Sequence, residues 1–230
     1  MDSFAPNAHA IHVAQVCERL SHAYGNPRHG NRQNPLDELV LIILSTRTRE
    51  ARYADTYLSL KREFPSWDGL RARHRKQVRQ ILAPGGLAGV KTEQLLAIIR
   101  TLRRVFGHAT LTPLTHLPDD EVEQFLTSLP GVGKKVAKCV MMYSMDRQVL
   151  PVDVHVHRVA QRLGMATKRR PDTSQDLIEA AIPPTFRYGF HVNAVAHGRA
   201  VCTPRRPECP RCLLRRYCTY YRRNRARVRG

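Results

Sequence analysis

The chain has 230 residues, enough for one sizeable domain or two small ones sharing a surface. Its 38 lysines and arginines against 19 acidic residues give a formal net charge of +19, which calls for a polyanionic partner, nucleic acid first. No apolar run nears the ~18 residues of a bilayer span, and residues 1–7 lack the basic and apolar regions of a secretory signal, so a cytoplasmic protein is expected, with cysteines reduced or metal-bound.

Helical periodicity runs through nearly the whole chain. Ala8–Tyr24 sets Ile11, Val13, Val16, Leu20 and Ala23 near one face. A Pro/Gly/Asn-rich connector over 25–35 precedes the run Leu39-Val40-Leu41-Ile42-Ile43-Leu44, which fits either strand or buried helix; the composition beyond it favours helix. Helices are predicted over 49–64, 66–73, 76–82 and 91–106, the last stopped by Gly107. Further ones follow over Asp119–Ser128, 134–145, Val154–Leu163, 173–182 and Arg187–Ala200. With no repeat and no strand ladder, the fold class is all-α with short loops.

One turn in this series stands out. Asp119 and Asp120 offer an N-cap and an acidic first turn to a helix that ends where Pro130 cannot continue it. Gly131 and Gly133 then permit the angles of a tight turn. The next helix opens with N–H groups that can accept a phosphate, and Lys134 adds a point charge there. A plain helix–turn–helix corner without ligand is the alternative.

Lys135 follows that turn. A free lysine amine has a pKa near ~10.4 and is almost wholly protonated at neutral pH. The helix N-terminus, adjacent Lys134 and Lys138 one turn on all disfavour the ammonium of Lys135. A neutral amine attacks carbon of carbocation or carbonyl character and forms Schiff bases. Eighteen residues later Asp153 opens another helix, two residues after Pro151. It reads as an N-cap, and a carboxylate held by helix N–H groups stays ionised and well aimed. His155 and His157 alternate, face different directions and suit no shared metal.

Cys202, Cys209, Cys212 and Cys218 form a C-x6-C-x2-C-x5-C array, a metal site whose spacing fits either four-cysteine zinc or an iron–sulfur cluster. Cys17 and Cys139 fall on apolar faces. His191 and His197 are too isolated to assign.

The string Leu-Pro-Gly-Val-Gly-Lys-Lys at 129–135, the interval to Asp153 and the run Val-Asp-Val-His-Val-His-Arg-Val at 152–159 resemble endonuclease III, a family of helix-hairpin-helix DNA glycosylases with a Gly/Pro-Asp element. The similarity runs from the Leu39 helix to Cys218. It implies two helical lobes flanking a DNA groove. One is a barrel-like lobe over 33–148 with the hairpin; the other joins 1–32 to 149–230 and carries a [4Fe–4S] cluster on the four cysteines. Lys135 and Asp153 would face each other across the groove. The implied activity is that of a monomeric glycosylase and AP lyase acting on oxidised pyrimidines or abasic sites in double-stranded DNA. Lys135 attacks the sugar C1′, Asp153 activates the amine or stabilises the sugar cation, and the Schiff base allows β-elimination 3′ to the lesion.

Everting a nucleotide costs a few kcal/mol and leaves a gap in the duplex. In the family a glutamine in Ser-Ala-Gln-Ala-Thr-Asp and a leucine in a Gly-Leu loop fill it. Here Gly86-Leu87-Ala88-Gly89-Val90-Lys91 matches the loop, making Leu87 the wedge and placing Lys91 among the DNA contacts. Ser45-Thr46-Arg47-Thr48-Arg49-Glu50 departs from pattern, with Arg47 where the glutamine should be. Arginine can stack in the gap, bond the orphan base or sit on phosphate. Thr127 stands where the prototype is acidic. These departures open the alternative of a lyase with weak or altered glycosylase activity; a third reading is a lesion- or structure-binding protein that uses the hairpin without turnover. By the same resemblance His155 lies near the lesion pocket. The loop between the first two cysteines would set Arg205 and Arg206 against phosphates, with Arg211, Arg215, Arg216 and an arginine-rich tail over 219–230 adding charge.

Overall fold

A computed structural model describes residues 8–28, 31–48, 50–166 and 170–224. Arg49 of the plug segment and the last six residues of the arginine-rich tail lie outside the described residues. Their regular structure is helical, with no strand among the described residues, and none of their helices is long and apolar enough to cross a membrane. The chain divides into two compact units, one over 30–147 and one joining 1–29 to 148–230.

The continuous unit holds α2 (Pro35–Ser45), α3 (Glu50–Glu63), α4 (Arg75–Leu82), α5 (Ala88–Phe106), α6 (Asp119–Ser128) and α7 (Lys134–Ser144). The apolar run at 39–44 is helix, and the reason is local. Asn34 Oδ1 accepts from the N–H groups of Leu36 and Asp37 at 3.0 and 3.1 Å, Pro35 takes the first helical position, and Asp37 and Glu38 complement the dipole. Leu36, Leu39, Val40, Ile43 and Leu44 are all buried, so α2 is apolar nearly all round, as a central helix must be. It packs against α3, α5 and α7.

Two expectations about helices fail in this unit. The helix predicted over 66–73 is instead a pair of 3₁₀ turns, Trp67–Gly69 and Ala72–His74. The Ser66 hydroxyl accepts from Asp68 N–H, the Trp67 indole donates to Asp37, and Asp68 accepts from Ala109 N–H at 2.7 Å. These side-chain bonds compete with the helical ladder. The cap of α6 is Pro118 rather than an aspartate, and Asp119, Asp120 and Glu121 form the acidic first turn.

The discontinuous unit comprises α1 (Ala8–Tyr24), α8 (Val154–Leu163), α9 (Pro171–Ala181), α10 (Arg187–Ala200) and the short α11 (Thr219–Arg223). Val13, Val16 and Leu20 of α1 meet Val156, Val159, Ile178, Phe190, Ala194 and Leu214 in one core. α10 packs against both α1 and α8. A Cβ on Gly198 would stand 3.0 Å from that of His155, so a glycine is what lets α10 approach the start of α8 this closely.

Candidate functional site

The hairpin turns between α6 and α7, where Val132 N–H donates to the Leu129 carbonyl at 3.1 Å. Gly131 has φ +71°, and a Cβ there would lie 2.6 Å from Gln94 Nε2; conformation and space both demand glycine. Gly133 does neither. Its φ is −93°, nothing lies within 4 Å of its would-be Cβ, and it serves as the N-cap of α7 without a side-chain cap. The expectation that both glycines serve the turn is corrected, since only Gly131 does.

Lys134 and Lys135 occupy the first two positions of α7, both exposed. Lys138, one turn on, is buried and pairs with Glu123 Oε2 of α6 at 2.7 Å, while Lys134 lies 3.7 Å from Glu123 Oε1. The like charges expected to crowd Lys135 are thus partly neutralised by a carboxylate the sequence reading passed over. Thr127 donates to the Glu123 carbonyl at 2.7 Å. Glu38 on α2 is also buried. Burial raises its pKa; the Arg32 N–H, the Asn31 amide and the charge of Lys135 pull it back.

In the other unit Asp153 caps α8, its Oδ1 accepting from the N–H groups of His155 and Val156, each at 2.8 Å. The extended segment before it is pinned atom by atom. Leu150 N–H donates to Glu179 Oε1 at 2.9 Å, and the Leu150 carbonyl accepts from Gln175 Nε2 at 2.6 Å. Val152 N–H donates to Gln175 Oε1 at 3.0 Å. His191 Nδ1 lies 2.8 Å from the Pro151 carbonyl. Gln175 and His191 were not legible as functional; their partners lie more than twenty residues away. His155 is half-buried with Nδ1 3.1 Å from the Arg158 guanidinium, and burial, then Arg158 and Arg199, lower its pKa against the pull of Asp153. His157 is buried against Ser174.

The two expected plug residues share a backbone property. Arg47 and Leu87 both have φ +54°, and both side chains are exposed. Lys91 differs from expectation. It is 3% exposed, and its ammonium donates to the Leu44 carbonyl and to Thr48 Oγ1, each at 2.8 Å, and to the Gly85 carbonyl at 3.4 Å. Burial lowers its pKa. An ammonium so engaged is no phosphate contact, contrary to the expectation for Lys91.

Cys202, Cys209, Cys212 and Cys218 line a single cavity with Arg162 and Tyr221. The sulfurs of Cys212 and Cys218 each accept a backbone N–H at 3.4 Å, from Leu214 and Tyr221, and Cys202 Sγ accepts from the Arg162 guanidinium at 3.1 Å. Burial raises the thiol pKa of Cys209, Cys212 and Cys218, that of Cys212 to about 11. Such thiols ionise together only against a compensating cation. Among the described residues no three His, Cys, Asp or Glu side chains are placed to hold one metal ion.

His197 lies between this cavity and α1. Its Nε2 is 3.4 Å from Cys212 Sγ and its Nδ1 2.9 Å from the Tyr24 hydroxyl, and burial pushes its pKa down to about 4. Arg158 and Arg162, one turn apart on α8, staple the cysteine loop through the carbonyls of Gly198, Cys202, Thr203 and Pro204. That leaves Arg205 and Arg206 exposed at its tip, where the Thr203 hydroxyl closes the turn on the Arg206 carbonyl at 2.6 Å. Arg211 is engaged by Glu208.

Residues 40–184 match the family described as HhH-GPD superfamily base excision DNA repair protein. Endonuclease III of Thermotoga maritima is 28% identical over 197 residues, covering 86% of this chain and 88% of that protein. A non-covalent endonuclease III–DNA complex superposes with a TM-score of 0.78 at 20% identity, covering 96% of this chain and 99% of the other. A thermostable thymine-DNA glycosylase gives 0.79 at 19% identity, covering 94% and all of its chain.

Proposed function

This chain belongs to the HhH-GPD superfamily of base-excision DNA repair proteins, and we propose that it is a bifunctional DNA glycosylase and AP lyase that removes oxidised pyrimidines from double-stranded DNA. The observation that carries the lyase reading is the exposed Lys135 on the first turn of α7, directly after the Gly131 hairpin. The hairpin grips a phosphate beside the lesion and the amine reaches the sugar.

The chemistry balances with this chain's own groups. The neutral amine of Lys135 forms a bond to C1′ as the glycosidic C–N bond breaks, and the base leaves with that electron pair and takes up a proton. The C1′–O4′ bond then breaks, O4′ takes up one of the two amine protons, and the nitrogen lone pair completes a protonated Schiff base. Removal of a C2′ proton then expels the 3′ phosphate by breaking the C3′–O bond. Asp153, fixed by two helix N–H groups, is suited to accept the amine proton or to offset positive charge growing on the sugar.

Cys202, Cys209, Cys212 and Cys218 would hold a [4Fe–4S] cluster. Four cysteines line a shared cavity, with N–H donors on three of their sulfurs; this donor set suits an iron–sulfur cluster, and the resemblance to endonuclease III favours the cluster over zinc. When bound, the cluster supplies four covalent anchors for the loop that presents Arg205 and Arg206 to DNA phosphates.

Borohydride reduction in the presence of abasic duplex tests the proposal. A covalent adduct that disappears in Lys135→Ala supports it; an adduct that persists in that variant, or none in the native protein, overturns it. Arg47 favours a second reading, in which base preference departs from oxidised pyrimidines. Duplexes carrying thymine glycol, 5-hydroxycytosine, uracil or 8-oxoguanine, assayed for base release, separate the two.

A further inference from the structure

We propose that Lys91 is a positioning residue that locks Arg47 and Leu87 into one rigid, two-pronged wedge for the gap left by an everted nucleotide. The inference rests on the glycosylase reading above and says how its base-eversion step is equipped.

Four non-glycine residues among those described have positive φ: Asn26, Arg47, Leu87 and Asp146. Asparagine and aspartate tolerate that region, whereas a longer side chain there costs roughly 1–2 kcal/mol. The two that bear this cost are the two expected prongs. Both side chains are exposed, Leu87 at 46%, so neither conformation is compensated by burying its own side chain.

The compensation lies beneath them. The Lys91 ammonium reaches Leu44, three residues before Arg47, Thr48, just after it, and Gly85, two residues before Leu87. The Thr48 hydroxyl, accepting from Lys91, donates across to the Gly85 carbonyl at 2.5 Å. The Lys91 N–H donates to the Leu87 carbonyl at 3.0 Å, opening α5 directly behind the wedge. One buried cation therefore ties both loops to each other, and these three partners are neutral oxygens. Burying an ammonium on such partners is expensive, and what it secures is the geometry of two strained loops. A pre-set wedge pays no ordering cost when it enters the stack.

The test uses a duplex with a tetrahydrofuran abasic analogue opposite 2-aminopurine, whose fluorescence reports unstacking, beside an undamaged duplex. Lys91→Met removes the brace; Thr48→Val removes its cross-link while leaving Lys91 in place and serves if the first variant does not fold. Each is expected to leave affinity for undamaged duplex nearly unchanged. Each should weaken binding to the analogue about tenfold, in the range of coupling between contacting residues, and abolish the fluorescence rise. In an Arg47→Ala/Leu87→Ala background neither should have further effect. An undiminished effect in that background, equal weakening on undamaged duplex, or no effect of either variant overturns the proposal. If Arg47→Ala/Leu87→Ala itself leaves analogue binding intact, the wedge assignment fails and the brace with it. If that double variant weakens binding and Lys91→Met does not, the brace alone falls.

Discussion

Glu123 of α6 pairs with the buried ammonium of Lys138 at 2.7 Å and stands 3.7 Å from that of Lys134, so a single carboxylate offsets the two cations that flank Lys135 on α7. Glu123→Gln keeps the shape and removes the charge. Stripping the charge from one side of a largely buried pair costs about 2–4 kcal/mol, visible as a lower urea midpoint. The local potential at Lys135 becomes more positive, which disfavours its ammonium, so the amine is neutral at lower pH. The rising limb of the borohydride-trapping rate should therefore move to lower pH. A limb that stays in place would show that Glu123 does not tune Lys135.

The two glycines of the hairpin separate folding from phosphate approach. Gly131→Ala meets both a left-handed φ and Gln94, and should cost about 1–3 kcal/mol. Gln94→Ala should relieve the steric part of that loss and leave the conformational part. Gly133 has an ordinary φ and open space around it, so Gly133→Ala should fold normally, its melting temperature unchanged. A methyl at the mouth of α7 nevertheless obstructs a phosphate, and abasic-duplex affinity should fall. Unchanged affinity would remove the phosphate from this site.

Where structure is set by neighbours in sequence, it was legible. Asp153 as an N-cap marks the start of α8, Pro183 and Pro184 separate α9 from α10, and the four-cysteine array announces its site. The misreadings share a cause. Lys91 reads as a surface cation because charge in sequence implies solvent, yet its partners at 44, 48 and 85 come together only on folding. His197 looked isolated until Tyr24 and Cys212 closed on its two nitrogens. The 66–73 segment has helical composition, but Asp37 and Ala109, distant in sequence, take its polar groups. Long-range hydrogen bonds leave no periodic trace.

Gln175 spans the segment that aims Asp153, donating to the Leu150 carbonyl and accepting from Val152 N–H. Gln175→Leu leaves both buried backbone groups without that partner, a loss of about 2–4 kcal/mol. Because Asp153 is set by this segment and Gln175 contributes no charge, kcat for base release should fall while the KM for damaged duplex holds. A rise in KM alone would mean that Gln175 serves DNA binding instead.

The cysteine cavity makes a compositional prediction. Protein purified without chelator should contain iron and acid-labile sulfide in equal amounts, with broad visible absorption that bleaches when iron is removed. Cys212→Ser should lose that absorption. Since Cys202, Cys212, Leu213 and Tyr217 pack against the core of their unit, it should also lower the melting temperature. Equimolar zinc without sulfide would overturn the assignment.

Glu38 gives the clearest pH signature. Its pKa is raised in the folded protein, chiefly by burial, so the folded state holds this proton more tightly than the unfolded chain. The stabilisation this provides is fully present below the ordinary carboxylate value of 4.5 and is lost as pH climbs through the raised value. Above the raised value the ionised, buried carboxylate is a net cost, moderated by the Arg32 N–H, the Asn31 amide and Lys135. Glu38→Gln mimics the protonated form, and the Asn31 amide can turn its oxygen toward the new NH₂ group. The variant should therefore unfold at higher urea than the native protein at neutral pH, and the advantage should vanish on acidification. Lys135 adds a second arm. Removing its charge takes away one of the influences that keep Glu38 ionisable, so Lys135→Ala should destabilise by about 0.5–1 kcal/mol at neutral pH, a coupling of ordinary size. In the Glu38→Gln background that loss should disappear. Strict additivity of the two substitutions would mean that the carboxylate beneath α7 does not sense Lys135 at all.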